Sequence, residues 1–430
     1  MSNSRSHSCK LTLFVFTILF CQLFIPLVGA SSEWKEDGWL SADWYTRDGR
    51  IAAGDELGCQ GMPTLNLEFM PSMSASECKK YLTERTNASR WNSEPLSFGV
   101  DMLENPNFDS SDHAALFAVG FTVHGLDTNY ENTTWHDAND IPEDNSDWWN
   151  LGYSGSLEQS ISSINQIQDL AKQGAMVNLH WQAQIADLKV RTNGELVGWL
   201  ESENLWYTTW GESYSYDYHR NYDNFDLFLH GSNEWNIVNE GDKNTSFDGN
   251  GFNTLAWNVP ITRGIDVRNN SVLNVRIGET VLQELSLENK ILTSGWRQEG
   301  GILWITLSSG QNATILMENE FEIDVNPESC DFPIENLKEC DLQQKPRFFN
   351  NHSWALTIAG YHTTDLFKWS MKFDDSPLVF TWLVEPKEVP EFNWSLIIIA
   401  VGAGIGAITY TRILLIRDKK ESAEYMFESE

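Results

Sequence analysis

Residues 302–317 read ILWITLSSGQNATILM. Two apolar runs rich in β formers, 302–307 and 313–317, flank Ser308-Ser309-Gly310-Gln311, whose small polar residues mark a turn. The same punctuation spreads outward. Apolar runs recur at 225–229, 255–259, 272–277, 281–287 and 321–325, parted by Asp248-Gly249-Asn250-Gly251 and Asn269-Asn270. Regular short strands of this kind predict an antiparallel sandwich, which 355–358, 367–373 and 378–384 would complete.

Upstream the pattern is mixed. One convincing helix is expected over 156–172, where Leu157, Ile161, Ile164, Ile167 and Leu170 fall on one stripe at helical spacing. A shorter helix is expected near 78–82 behind the Ser-x-x-Glu box of Ser74 and Glu77. Strands are expected at 65–69, at 115–123, and where Val177, Leu179 and Trp181 alternate with polar residues. Asn193-Gly194 suits a type I′ hairpin turn. The fold class expected is therefore mainly β with one clear helix. It comprises an α+β region over 31–222, an antiparallel β-sandwich over 223–385, and a C-terminal transmembrane helix.

The ends set the expected topology. Residues 11–27 are mostly apolar behind Arg5 and Lys10 and close on Val28-Gly29-Ala30, the order of a signal peptide over 1–30. Residues 386–393 carry Pro386 and Pro390 and read as a stiff stalk. The apolar run LIIIAVGAGIGAITY follows Trp394 and precedes Arg412, Arg417, Lys419 and Lys420. A membrane helix over 394–416 with a cytoplasmic tail at 417–430 is expected, leaving the middle of the chain outside the cell. Gly402 and Gly406 form the Gly-x-x-x-Gly that lets two membrane helices approach, so the anchor is a candidate dimer contact.

Val389-Pro390-Glu391-Phe392 before that run, with Arg and Lys after it, resembles the PEF-type C-terminal tails of archaeal cell-surface proteins. The resemblance covers about 389–420. It implies a membrane anchor, and in some members of that family a sorting signal. Here Asn393 follows the Phe, and residues 421–430 extend past the basic cluster.

Composition narrows the partners. Sixty-one acidic residues against 29 basic ones leave a formal charge of −32, a field that repels phosphate backbones and excludes nucleic acid. Four of six cysteines lie beyond the signal, and an oxidising exterior favours the short pairings Cys59–Cys78 and Cys330–Cys340. Asn87, Asn132, Asn244, Asn269, Asn312 and Asn351 head sequons expected to carry glycans. Asn393 heads another, too close to the membrane for modification.

Two stretches are candidate sites. Trp199, Trp206, Tyr207, Trp210, Tyr214, Tyr216, Tyr218 and Tyr222 concentrate flat rings beside polar residues, as sugar recognition requires. If 214–218 is a strand, its three tyrosines share one face. Asp137, Asn139, Asp140, Glu143, Asp144 and Asp147 offer the oxygen ligands of a calcium loop, the one cofactor the sequence suggests. No nucleophile elbow, zinc-protease motif or phosphate loop occurs. His113, His124, His136, His180, His219 and His230 are scattered and read as packed or surface side chains. Glu234, with Glu240 nearby, is half of a conceivable carboxylate pair for glycoside hydrolysis. The reading is a single-pass type I surface protein without catalysis, serving recognition or adhesion through a glycan or protein ligand, or forming part of the cell envelope. The alternative is an anchored hydrolase of extracellular polymers.

Overall fold

A computed structural model describes residues 49–63, 65–92, 94–100, 105–125, 149–182, 191–241, 256–267, 270–320, 348–361, 371–386 and 394–427. The chain forms two units, one of residues 36–387 and one of 1–35 with 388–430.

The larger unit opens with the short helix α1 (Arg50–Ala53) and then follows a β-then-helix rhythm. Strands β1 (Glu56–Cys59), β2 (Ser97–Gly99), β3 (Val123–Gly125), β4 (Trp149–Leu151), β5 (Gly155–Ser156), β6 (Met176–Gln182) and β7 (Trp206–Tyr207) come first. Helices α2 (Pro71–Thr83), α3 (Ser110–Val119), α4 (Ile164–Lys172), α5 (Gly194–Ser202) and α6 (Trp210–Tyr222) are interspersed. Antiparallel strands follow: β8 (Asn224–Leu229), β9 (Glu234–Gly241), β10 (Pro260–Asp266), β11 (Val272–Ile277), β12 (Thr280–Val281), β13 (Gly295–Glu299), β14 (Ile302–Ser308) and β15 (Asn312–Met317). The last two strands, β16 (Ala355–Tyr361) and β17 (Thr381–Val384), return to the first sheet.

That first sheet is parallel and runs β4-β3-β2-β1-β17-β16-β6-β5, with β7 also paired to β16. Its edge strands β4 and β5 are separated in sequence by only Gly152, Tyr153 and Ser154, so the sheet curls into a half-barrel whose ends approach each other. Asn178 on β6 fastens the seam. Its Nδ2 donates to the Leu151 carbonyl at 3.1 Å and the Gly152 carbonyl at 2.7 Å, while its backbone exchanges bonds with Ser154.

The antiparallel strands make two further sheets, β12-β11-β15-β9-β8 and β10-β14-β13, around a core that includes Ile237, Val275, Leu303, Ile305 and Ile315. Residues 224–317 are thus an insertion between α6 and the return of the chain to the half-barrel.

The expected fold class is overturned. Seven α-helices among the described residues and a large parallel sheet make this an α/β body, and antiparallel pairing of named strands is confined to 224–317. Of the runs expected to complete a sandwich, 355–358 lies in β16 and 378–384 contains β17, which pair in parallel with β6 and β1. Of 367–373, residues 367–370 lie outside the described residues and 371–373 form a short 3-10 helix. The cause is burial. β6 is buried on both faces along nearly its whole length, as helix-covered parallel strands are, whereas β9 alternates as a one-sided strand does.

Several local elements also differ from the sequence expectation. Residues 110–119 are α3, because Asp109 builds a reciprocal capping box with Asp112 and Gly120 closes the end at φ 100°. Asn193 caps α5 by accepting from the backbone of Glu195 and Leu196, so no hairpin forms there. The helix expected over 156–172 begins only at Ile164, since 155–156 are drawn into the sheet beside β6. Residues 65–69 form no strand: Leu65 makes an isolated bridge to Met62, and 67–69 are turn.

The smaller unit contributes α7 (Trp394–Phe427). Among the described residues no helix is long and apolar enough to cross a membrane, which overturns the transmembrane helix expected over 394–416. Before Thr409 the unbroken apolar or small run covers 396–408, about 20 Å of helix against a hydrocarbon core of about 30 Å. The helix then continues through Arg412, Arg417, Lys419 and Lys420.

Candidate functional site

In parallel α/β sheets the strand ends decide where a ligand can sit, and the carboxyl ends are the usual place. Here the amino end is filled by protein. The first turn of α6 enters the half-barrel: Trp210 N donates to Thr381 Oγ1 at 2.9 Å, and Gly211 N donates to Glu56 Oε2 at 2.9 Å. Ser97 and Thr381 also donate to the Glu56 carboxyl. Complete burial pushes Glu56 up to about 7, against the lowering effect of those bonds and one from Thr209. Trp257, Val259 and Ile261 from the insertion pack into the same core as Trp210 and Tyr216. This end is a floor.

The carboxyl end is different. Alternation along β6 puts Asn178 and His180 on the inner face, and Val177, Leu179 and Trp181 on the outer one. His180 is 3% exposed, and around it stand Tyr153 with ring centroids 5.0 Å away, Trp210 at 6.1 Å and Tyr361 at 6.4 Å. Tyr153 is 54% exposed and Tyr361 half-buried, so the cluster opens to solvent through its tyrosines. Glu158, just past β5, accepts from the backbone N–H of Gln182 at 3.1 Å. Burial, with the Glu158 charge adding to it, raises the Tyr153 phenol above its ordinary value. Glu385 directly follows β17 at the same end of the sheet.

Burial alone lowers His180 to about 3, so its ring is neutral at ordinary pH. The mouth therefore offers stacking surfaces, a neutral imidazole and carboxylates. Segments 101–104, 126–148, 183–190 and 362–370 follow β2, β3, β6 and β16 in sequence and lie outside the described residues.

The expected aromatic site is mostly core. Residues 210–222 form α6 rather than a strand, so Tyr214, Tyr216 and Tyr218 do not share a sheet face. Trp206, Tyr207, Trp210, Tyr216 and Tyr218 are buried; Tyr214 is half-buried against Trp149. Trp199 lies half-buried on α5 and stacks on Trp354, and Tyr222 is exposed at the end of α6. Only Trp210 reaches the mouth, as its inner wall.

The expected calcium loop, with Asp137, Asn139, Asp140, Glu143, Asp144 and Asp147, lies outside the described residues. No cluster able to hold a metal occurs among the described residues. Glu234 lies on β9 of the insertion, 3.9 Å from Arg276, and has no place at the mouth. Cys59 and Cys78 are bonded, tying β1 to α2, while Cys330 and Cys340 lie outside the described residues. Of the sequon residues, Asn87, Asn312 and Asn351 are exposed, and Asn132, Asn244 and Asn269 lie outside the described set. Sequence reasoning missed Tyr153, Glu158, Asn178, His180 and Tyr361. The available signal was Asn178 and His180 as the polar phase of a strand whose other phase is strongly apolar.

No family model matches the chain, and no curated protein matches it in sequence. Among solved structures, it is similar to a glycoside hydrolase family 30 subfamily 8 xylanase from Clostridium acetobutylicum at 11% identity, over 58% of this chain and 72% of that one, with a TM-score of 0.19. A likeness this slight carries no argument about activity.

Proposed function

We propose that this is an exported protein that binds a carbohydrate at the carboxyl-end mouth of its half-barrel. The observation that carries the reading is the meeting of Tyr153, Glu158, His180 and Tyr361 at one end of one sheet. Ring faces suit the apolar side of a pyranose, and the imidazole and carboxylate suit its hydroxyls. The bonded Cys59–Cys78 pair supports export, since disulfides persist outside the reducing cytosol. A glycan array with the full-length protein tests the binding. Tyr153→Ala, at an exposed position, should abolish retention without lowering the melting temperature. Unchanged retention would refute the site.

A second reading, glycoside hydrolysis, is favoured by Glu158 and Glu385 standing at the same end of the sheet. That chemistry uses one carboxyl as acid and another as base or nucleophile. Turnover of array hits by wild type, with Glu158→Gln and Glu385→Gln still binding but inactive, would select it. Binding without turnover would leave recognition as the function.

A further inference from the structure

Asn178 does more than close the seam. Its Oδ1 accepts from Trp210 Nε1 at 2.9 Å and from Thr357 Oγ1 at 2.7 Å. An indole nitrogen can only donate, so that side of the amide is the oxygen. The other side faces the Leu151 and Gly152 carbonyls, which can only accept, so it is the NH2. Both constraints agree, and the amide has one orientation. The same NH2 lies 3.1 Å from His180 Nε2 and can only donate. A protonated Nε2 would set hydrogen against hydrogen, so Nε2 is the unprotonated ring nitrogen, sharing an amide hydrogen with the Leu151 carbonyl at 3.1 Å. The ring proton is left on Nδ1, which has no hydrogen-bond partner among the described residues. His180 is thus a nine-tenths-buried side chain held by a bond at one nitrogen and unpartnered at the other, in a mouth lined by Tyr153 and Tyr361.

We propose that Asn178 fixes His180 in its Nδ1–H tautomer, giving the mouth a fixed uncharged donor that selects neutral, hydroxyl-rich glycans over anionic ones. The inference rests on the carbohydrate reading above and narrows its substrate class. The surroundings agree with it. Glu158, whose charge already acts on Tyr153, stands beside the cluster, so a uronate or sulfate set against Tyr153 and His180 would meet repulsion from it. Asn178 is buried and touches no open surface, so it is a positioning residue and His180 the contact.

Nitrogen-15 NMR of the histidine-labelled full-length protein reads the tautomer directly, whether or not any ligand is known. The expected spectrum shows His180 protonated at Nδ1 only, unchanged from pH 5 to 8. A protonated Nε2, or an imidazolium in that range, would overturn the lock. Asn178→Asp puts an acceptor where the donor stood and should move the proton to Nε2. An unmoved signal in that variant would remove Asn178 from the account. Selection is read by titrating neutral gluco-, manno- and xylo-oligosaccharides beside oligogalacturonate. At least tenfold preference for a neutral series is expected. His180→Asn, whose amide nitrogen reaches near the Nδ1 position, should keep more of that affinity than His180→Gln. Preference for the uronate would overturn the selectivity. Binding by neither class would sink the carbohydrate reading while leaving the tautomer result standing.

Discussion

The ring of Trp210 occupies the space where Gly125 would carry a side chain: a Cβ there would lie 2.1 Å from Cη2 of the indole. The indole cannot swing aside, since its Nε1 is bonded to Asn178 and its ring is fully buried. A glycine at the end of β3 is therefore what admits the first turn of α6 into the half-barrel. Gly125→Ala should cost about 3 kcal/mol, the upper part of the overpacking range. Gly198→Ala, on α5 with open space around it, should gain up to about 1 kcal/mol. Urea denaturation of the two variants checks both signs.

Trp206→Ala and Tyr216→Ala should each melt far below wild type, losing about 3–5 kcal/mol, because both rings are fully buried and packed on each other at 4.8 Å. Tyr153→Ala should melt as wild type does, since more than half of its surface is already wet. Calorimetry on the three variants separates packing from contact.

Replacing Cys59 and Cys78 together by Ala should cost about 3 kcal/mol, the usual effect of opening a loop of some 20 residues. Both side chains are fully buried, so the double variant also tests whether α2 stays docked on β1 without the bond. Protection of the α2 amides in hydrogen exchange reports that docking.

Glu56 makes stability depend on pH in a direction unusual for a carboxyl. Its folded pKa of about 7 exceeds its ordinary 4.5, so between those values the folded protein holds a proton that the unfolded chain has released. Stability from this group is full below about pH 4.5 and falls as pH rises through 7, by about 3 kcal/mol in total. Asp55, raised chiefly by burial, acts in the same direction. His180, lowered to about 3, and His352, lowered to about 4, act oppositely: their contribution grows as pH rises toward 6.5. The difference between wild type and Glu56→Gln isolates the first effect. The variant should gain on wild type as pH rises from about 4.5 to about 7 and then level off, as chemical denaturation at several pH values would record.

Local chemistry decided which parts of this fold were legible. Strands β8, β11, β14 and β15 lie close to where the apolar runs place them, because each is a short run rich in β formers bounded by turn residues visible in the sequence. Strands β2, β3 and β4 are three residues each, too short to display any period, and the parallel sheet went unseen with them. The segment 214–218 alternates Tyr with the polar Ser215 and Asp217, which is the signature of a strand, yet it lies in a helix buried along most of its length. In that setting, tertiary packing overrides local pattern. The Cys59–Cys78 pairing was legible because the two cysteines lie only 19 positions apart, within reach of one local loop. The mouth was not, because Tyr153, His180 and Tyr361 come together only through curling of a sheet that the sequence does not announce.

Trp382 donates to Asp55 from a position 327 residues later in the chain, beside the pairing of β17 with β1. At about 5–20 residues per second, a ribosome needs roughly 15–65 s to deliver the second partner after the first. Throughout that interval β1 has one side without a neighbour, and the Asp55 carboxyl lacks its indole donor. The antiparallel insertion can meanwhile close upon itself, since all its strands lie within 224–317. Birth order thus opposes assembly order: a module emitted late can finish early, while the oldest strand waits for nearly the youngest. A nascent chain halted before residue 381 should hold a folded insertion beside an incomplete half-barrel, a natural client for a holding chaperone.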